Sequence, residues 1–180
     1  MFDEISDKFS NLMLDSYANY FCPRFFTLLK KDQRRIFLLD ILNHVFEIGT
    51  SKIGTYPLQS IIDQINSEEE KVIVADSLNG KILEMCLDPQ GTHVIEKIIT
   101  CFEEKYIEDY YNIIIDNMIT LADNVNGLCV CKKIINHGCA LKTMKRIREK
   151  LIENAIFLIQ NVYGNYVIQM AIEVKLTINF

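Results

Sequence analysis

The sequence predicts an all-α fold, a right-handed α-solenoid built from three-helix repeats. A phrase with one small residue and then an apolar helix recurs five times. Its copies are DSYANYFCPRFF from Asp15, TSKIGTYPLQSII from Thr50, DPQGTHVIEKII from Asp88, NVNGLCVCKKII from Asn124 and NVYGNYVIQMAIE from Asn161. Aligning the small residue puts Ala18, Gly54, Gly91, Gly127 and Gly164 in register at steps of 36 or 37 residues, which is a repeat period. Between the phrases apolar residues follow helical spacing, and no window alternates over the length of several strands.

Each unit reads as a helix, a turn, a helix opening with the phrase, and a third helix. Met1–Leu14 is expected to be the first helix and Asn19–Lys30 the second, with Phe21, Phe25, Phe26 and Leu29 inside. Pro23 must sit near that helix's start or bend it. Gln33–Glu47 carries Ile36, Leu39, Leu42, Val45 and Phe46 at helical spacing. A break at Ile48–Gly54 precedes a helix over Thr55–Ile65, with Pro57 in its first turn. Ser67 with Glu70 three residues on is a capping-box signature for a helix to about Leu78. Gly80 separates it from a short helix near Ile82–Cys86, and Asp88–Gly91 is a turn. Thr92–Phe102, Glu103–Leu121 (as one helix or two) and Leu128–His137 follow, with a break at Asp123–Gly127 and a stop at Gly138. Leu141–Ile159 reads as one helical stretch with Met144, Ile147, Leu151 and Ile152 inward. Asn161–Gly164 is the last break and Asn165–Glu173 the last helix.

The 180 residues, 49% hydrophobic and 24% charged, suffice for one folded domain. We read residues 1–180 as a single partial array, with repeats at roughly 1–34, 35–70, 71–106, 107–142 and 143–180. No apolar run approaches the ~18 residues of a membrane span, and the acidic start, MFDEISDKFS, does not read as a signal peptide. Cys22, Cys86, Cys101, Cys129, Cys131 and Cys139 are then expected as free thiols in a reducing compartment, placing the chain in the cytoplasm. Cys129 and Cys131 lie two residues apart, so on a helix they point to different faces. No metal or other cofactor is expected. The net charge of −5 argues weakly against nucleic acid, but an array can carry acid outside and base inside. No nucleophile–base pair, paired carboxylates or phosphate loop suggests an enzyme.

Numbering from the residue after the small one, positions one, two and five are Asn19, Tyr20 and Pro23; Thr55, Tyr56 and Gln59; Thr92, His93 and Glu96; Leu128, Cys129 and Lys132; Asn165, Tyr166 and Gln169. Positions three and four are mostly apolar. Position five lies one turn beyond position one, so the two share a face, and stacked units line those faces along one surface. Such a surface suits a single nucleic-acid strand. Amides, hydroxyls and carboxylates meet base edges, and the mostly aromatic position two stacks between bases. Solvent exposure alone does not demand aromatic-plus-polar sets at fixed offsets.

GNYVIQMAIE, GTHVIEKII and GLCVCKKII, with the period near 36 residues, resemble the Pumilio-type (PUF) RNA-binding repeats over essentially the whole chain. The resemblance implies a Pumilio/armadillo-like superhelix whose inner face binds single-stranded RNA, commonly in mRNA 3′ untranslated regions, antiparallel to the protein. It implies repression or decay of those mRNAs through recruited co-repressor or deadenylase proteins on the outer face, and no catalysis. Such domains usually hold eight repeats, and these five look most like the middle ones, so a fragment or split gene is expected. Pro23 departs from the family's Gln, and Leu128 with Lys132 departs from its polar edge pair. The first repeat is therefore expected to read poorly, and the fourth to stack on a base or touch phosphate without choosing a base. Lys97 and Lys133, next to position five, are candidates for phosphate contact. Two other readings are an armadillo- or HEAT-like peptide-binding solenoid and a low-selectivity ribosome-biogenesis member of the same class.

Overall fold

The computed structural model describes residues 2–6 and 8–174. Met1, Asp7 and the end of the tail fall outside them. Every regular element among the described residues is a helix. In chain order these are α1 (Phe2–Ile5), α2 (Phe9–Leu14), α3 (Phe21–Phe26), α4 (Lys31–Asn43), α5 (Val45–Thr50), α6 (Thr55–Ile62), α7 (Glu68–Ser77), α8 (Ile82–Leu87), α9 (Gly91–Cys101), α10 (Glu108–Asp116), α11 (Met118–Ala122), α12 (Gly127–His137), α13 (Leu141–Glu153), α14 (Ala155–Gln160) and α15 (Gly164–Glu173). Short 3₁₀ turns cover Ala18–Tyr20 and Glu104–Tyr106.

These helices form five units of three: an outer helix, a short helix and an inner helix that opens with the repeated phrase. The inner helices α3, α6, α9, α12 and α15 pack side by side in order, and α4 packs on α7 and α10 on α13 in the outer row. One apolar cluster runs from Phe9 to Ala171 through all five units, as expected of a quasi-one-dimensional stack.

The inner helices form where they do because one polar residue recurs three places before the small one. Asp15, Ser51, Asp88, Asn124 and Asn161 each accept hydrogen bonds from the backbone N–H groups two and three residues on. For Asp88 the donors are Gln90 (2.8 Å) and Gly91 (2.7 Å), and for Asn161 they are Tyr163 (2.9 Å) and Gly164 (2.7 Å). The other three loops repeat the pattern. Each bond satisfies an orphan donor at a helix start. The small residue is needed because the loop folds against the short helix. A Cβ at Gly127 would stand 2.5 Å from the carbonyl oxygen of Leu121, and one at Gly91 would stand 2.8 Å from that of Met85.

Neighbouring units are tied by side chains about one period apart. The Arg34 guanidinium donates to both oxygens of Glu70 (2.7 and 3.1 Å) and to the Gln64 carbonyl (2.8 Å). The buried Tyr110 hydroxyl donates to the Ala75 carbonyl (3.0 Å). Lys71 pairs with Glu103 (2.7 Å), and Glu104 accepts from the Ala140 N–H (2.5 Å).

Several expected elements differ in extent. The stretch read as one helix over Met1–Leu14 is two helices, and Asn19–Lys30 is a 3₁₀ turn followed by α3, which stops at Phe26. Pro23 does fall in the first turn of α3. Gln33–Glu47 and Leu141–Ile159 each divide into an outer and a short helix, at His44 and Asn154, and Ile48–Thr50 is helical rather than part of a break. In α4 the buried stripe is Phe37, Leu38 and Ile41, one step out of phase with the half-exposed Ile36 and Leu39. Phe21 and Ile152, expected inside, are exposed, since each faces an end of the described array where no described unit packs on it. The same holds along the far end of the fifth unit. Ile172 is 48% exposed where its counterpart Ile135 is 2%, and Ile159 is 57% exposed where Ala122 is 0%. Ser67 caps α7 by accepting from the Glu70 N–H (3.2 Å), as its spacing predicts.

Candidate nucleic-acid interface

The inner helices bury one stripe and present the other. In α9, Val94, Ile95, Ile98 and Ile99 are buried, while His93 is exposed and Glu96 half-buried. Positions three, four, seven and eight thus form the core, except for Phe21 and Ile172 at the two ends, and positions two and five look outward on every inner helix except that Pro23 is buried. Tyr20, Tyr56, His93, Cys129 and Tyr166 are all exposed at position two, so the structure brings the five expected stacking positions into one row.

Position one is less accessible than its polar character suggests. Asn19 is 5% exposed, Thr55 6% and Thr92 3%. Their polar groups are committed to the backbone. Thr92 Oγ1 donates to the Asn126 carbonyl (3.2 Å) and Thr55 Oγ1 to the Gln90 carbonyl (3.4 Å), in each case a loop of the next unit. Asn19 Nδ2 donates to the Asp15 carbonyl (2.8 Å), and Asn165 Nδ2 to the carbonyls of Asn161 (2.8 Å) and Val162 (2.9 Å). A committed donor leaves the oxygen of each group as an acceptor.

That oxygen orients position five. Gln59 Nε2 donates to Thr55 Oγ1 (3.1 Å), and Gln169 Nε2 donates to Asn165 Oδ1 (2.8 Å). Each glutamine is left with one N–H and its carbonyl oxygen for a ligand. In the third unit His93 Nδ1 lies 3.6 Å from Glu96 Oε2. The fourth unit offers half-buried Leu128, the exposed Cys129 thiol and half-buried Lys132. In the first, Pro23 gives no side-chain donor or acceptor. The rings of Tyr20 and Tyr56 touch, with centroids 5.9 Å apart at 51°. A base sandwiched between them needs about 7 Å, two van der Waals layers, so this gap must open slightly.

Of the candidate phosphate contacts, Lys97 is instead tied to Asp63 of the preceding unit (3.0 Å). Cys129 and Cys131 do point to different sides: Cys129 is exposed, whereas Cys131 is buried with its thiol directed at the Met118 carbonyl (3.8 Å). All six cysteines are free, and burial pushes the Cys22 and Cys86 thiols up to about 12. Among the described residues no helix is long and apolar enough to cross a membrane.

The loop residues Asp15, Ser51, Asp88, Asn124 and Asn161 escaped the sequence reading, although their fixed place three residues before the small one was visible in it. Each holds the start of its inner helix through two backbone N–H groups.

A family model of the Pumilio-family RNA binding repeat matches residues 8–42, 81–115 and 154–173, half of the chain. A Pumilio domain-containing protein of Schizosaccharomyces pombe is 26% identical over 175 residues, which span 97% of this chain and 26% of that protein. The suppressor protein MPT5 of Saccharomyces cerevisiae is 27% identical over 183 residues, 97% of this chain and 21% of that protein. Among solved structures, the Puf4 RNA binding domain, bound to a 3′ UTR recognition sequence of HO endonuclease RNA, superposes with a TM-score of 0.91 at 30% identity, covering 96% of this chain and 53% of that one. The RNA-binding domain of yeast Puf5p bound to SMX2 RNA gives 0.88 at 27% identity, covering 97% of this chain and 50% of that one. The chain spans about half the length of these solved domains and about a quarter of the two relatives. The chain belongs to the Pumilio family of RNA-binding repeat proteins.

Proposed function

We propose that the chain binds single-stranded RNA in a sequence-selective way, one base per unit, along the row formed by Tyr20, Tyr56, His93, Cys129 and Tyr166. The observation that carries this is the in-register pairing of position five with position one beside an exposed position two, seen at Thr55–Gln59 and again at Asn165–Gln169. The free N–H and carbonyl oxygen of Gln169 complement adjacent acceptor and donor groups on the uracil edge. Glu96, acceptor-only when ionised, complements the N1–H and N2–H of guanine. Thr55 with Gln59 suits adenine or uracil, and Asn19 with Pro23 chooses no base. Read 5′ to 3′ against the chain, the preferred core is U, then a place for the fourth unit, then G, then A or U.

The similarity to Puf4 and Puf5p, both solved with RNA, supports mRNA 3′ untranslated regions as the targets. Post-transcriptional repression in the cytoplasm, through co-repressor or deadenylase proteins recruited to the outer row, belongs to the same proposal. So do the division of residues 1–180 into five repeats and the absence of catalysis.

Fluorescence anisotropy with short labelled RNAs tests it. Single strands are expected to bind and duplexes not, and binding is expected to weaken as salt rises. Tyr166→Ala is expected to cost about 1–3 kcal/mol by removing a stacking surface. If it binds as tightly as the parent, Tyr166 serves packing alone. Equal binding of all single strands would instead favour the low-selectivity, ribosome-biogenesis reading.

A further inference from the structure

The fourth unit departs most from the others in the chemistry it offers a base. Leu128, half-buried at position one, has no side-chain polar atom with which to orient its partner. Position five is Lys132, half-buried on α12 and in register with Gln59, Glu96 and Gln169. Its ammonium makes no ion pair among the described residues, whereas Lys97 on the neighbouring inner helix is neutralised by Asp63. The charges of Lys132 and of Glu96 both act on the Cys129 thiol, so the three side chains share one patch of the row. Lys132 therefore stands in the line of base-facing side chains as a cation without a committed partner.

An ammonium is a donor only. It is favoured by acceptors and opposed by any N–H pointed at it. Uracil places N3–H at the centre of its Watson–Crick edge, between two oxygens. Guanine presents O6 but follows it with N1–H and N2–H. Adenine presents N1 beside an amino group. On the Watson–Crick edge, cytosine alone presents two adjacent acceptors, N3 and O2, that one ammonium can reach together.

We propose that Lys132 makes the fourth unit a reader of cytosine, with Cys129 and the apolar Leu128 as the surface against which that base rests. This rests on the RNA-reading function proposed above and narrows its second place, giving U, C, G, then A or U. A lysine is a compact, strongly hydrated point charge rather than a planar fork, so the selectivity belongs at the low end for a single base contact.

The experiment uses the whole chain, four RNAs identical except at the second place of 5′-UNGA-3′, and a parallel set varied only at the third place. Cytosine is expected to bind about 5-fold tighter than the other three. Lys132→Gln, which keeps a polar side chain of similar length, is expected to abolish that advantage while guanine is still selected at the third place. Equal affinities at the second place in the parent, with guanine still selected at the third, would overturn this inference and leave RNA reading intact. It would also be overturned if Lys132→Gln weakened all four RNAs equally and lowered the salt slope by about 0.7, the mark of a phosphate contact on a single strand. If none of the four bound, RNA reading itself would be overturned.

Discussion

Replacing Arg34 with methionine is expected to lower stability by about 3–5 kcal/mol, because it leaves a buried carboxylate without its cation. Glu70 is 8% exposed and Arg34 14%. The pair is bidentate, the guanidinium also serves the Gln64 carbonyl, and it lies 4.3 Å from the centre of the Phe26 ring. One side chain thus joins the second unit to both the first and the third. Replacing both partners, as Arg34→Met with Glu70→Leu, should recover most of the loss, since no charge is then stranded. Urea unfolding of the two variants measures this, and a single-variant cost below about 1 kcal/mol would reduce the pair to a surface contact. A pH dependence follows. Burial pushes the Glu70 carboxyl up, but the Arg34 guanidinium and the Ser67 donors together hold it below its ordinary 4.5. With the folded value depressed, this stabilisation is fully present above about pH 4.5 and is lost as pH falls through the folded value. The double variant should therefore lose less stability than the parent on acidification.

Gly127→Val is expected to cost about 3 kcal/mol, at the upper end for overpacking a tight interior. The obstacle is backbone, not a movable side chain: the new Cβ would meet the Leu121 carbonyl oxygen at 2.5 Å and its Cα at 2.8 Å. The clash would push α12 away from α11 and tilt Cys129 and Lys132 out of the row. Thermal unfolding and RNA affinity should fall together. A variant as stable as the parent would show that the loop has room that these distances deny it.

The solenoid was legible in the sequence because its strongest signal, the period of Ala18, Gly54, Gly91, Gly127 and Gly164, depends on a backbone approach that few residues other than glycine allow. The row of outward-facing positions was legible for the same reason, since the register of the small residue fixes positions one, two and five. The join between outer and short helix was legible only in the third unit, where Gly80, with φ 80°, precedes it. The joins fall at Lys8, His44, Lys81, Asn117 and Asn154, each with φ between −102° and −125° and ψ near zero. Residues other than glycine adopt that region, so outside the third unit no glycine or proline marks the join. The burial of Thr55 and Thr92 was also hidden, because the loop of the next unit meets them there. Phe21 and Ile152 misled because apolar spacing marks the stacking face of a repeat even where no further unit covers it.

The central claim is that each inner helix after α3 presents one base-choosing side chain at position five. Selection of RNAs from a random pool by the parent chain and by Glu96→Gln tests it most directly. Guanine is expected at the third place for the parent. For the variant it is expected to lose about 1–3 kcal/mol of advantage, with uracil or adenine gaining, while uracil at the first place persists. If the parent shows no preference for guanine there, or the substitution leaves the preference unchanged, one base per unit does not hold in this chain.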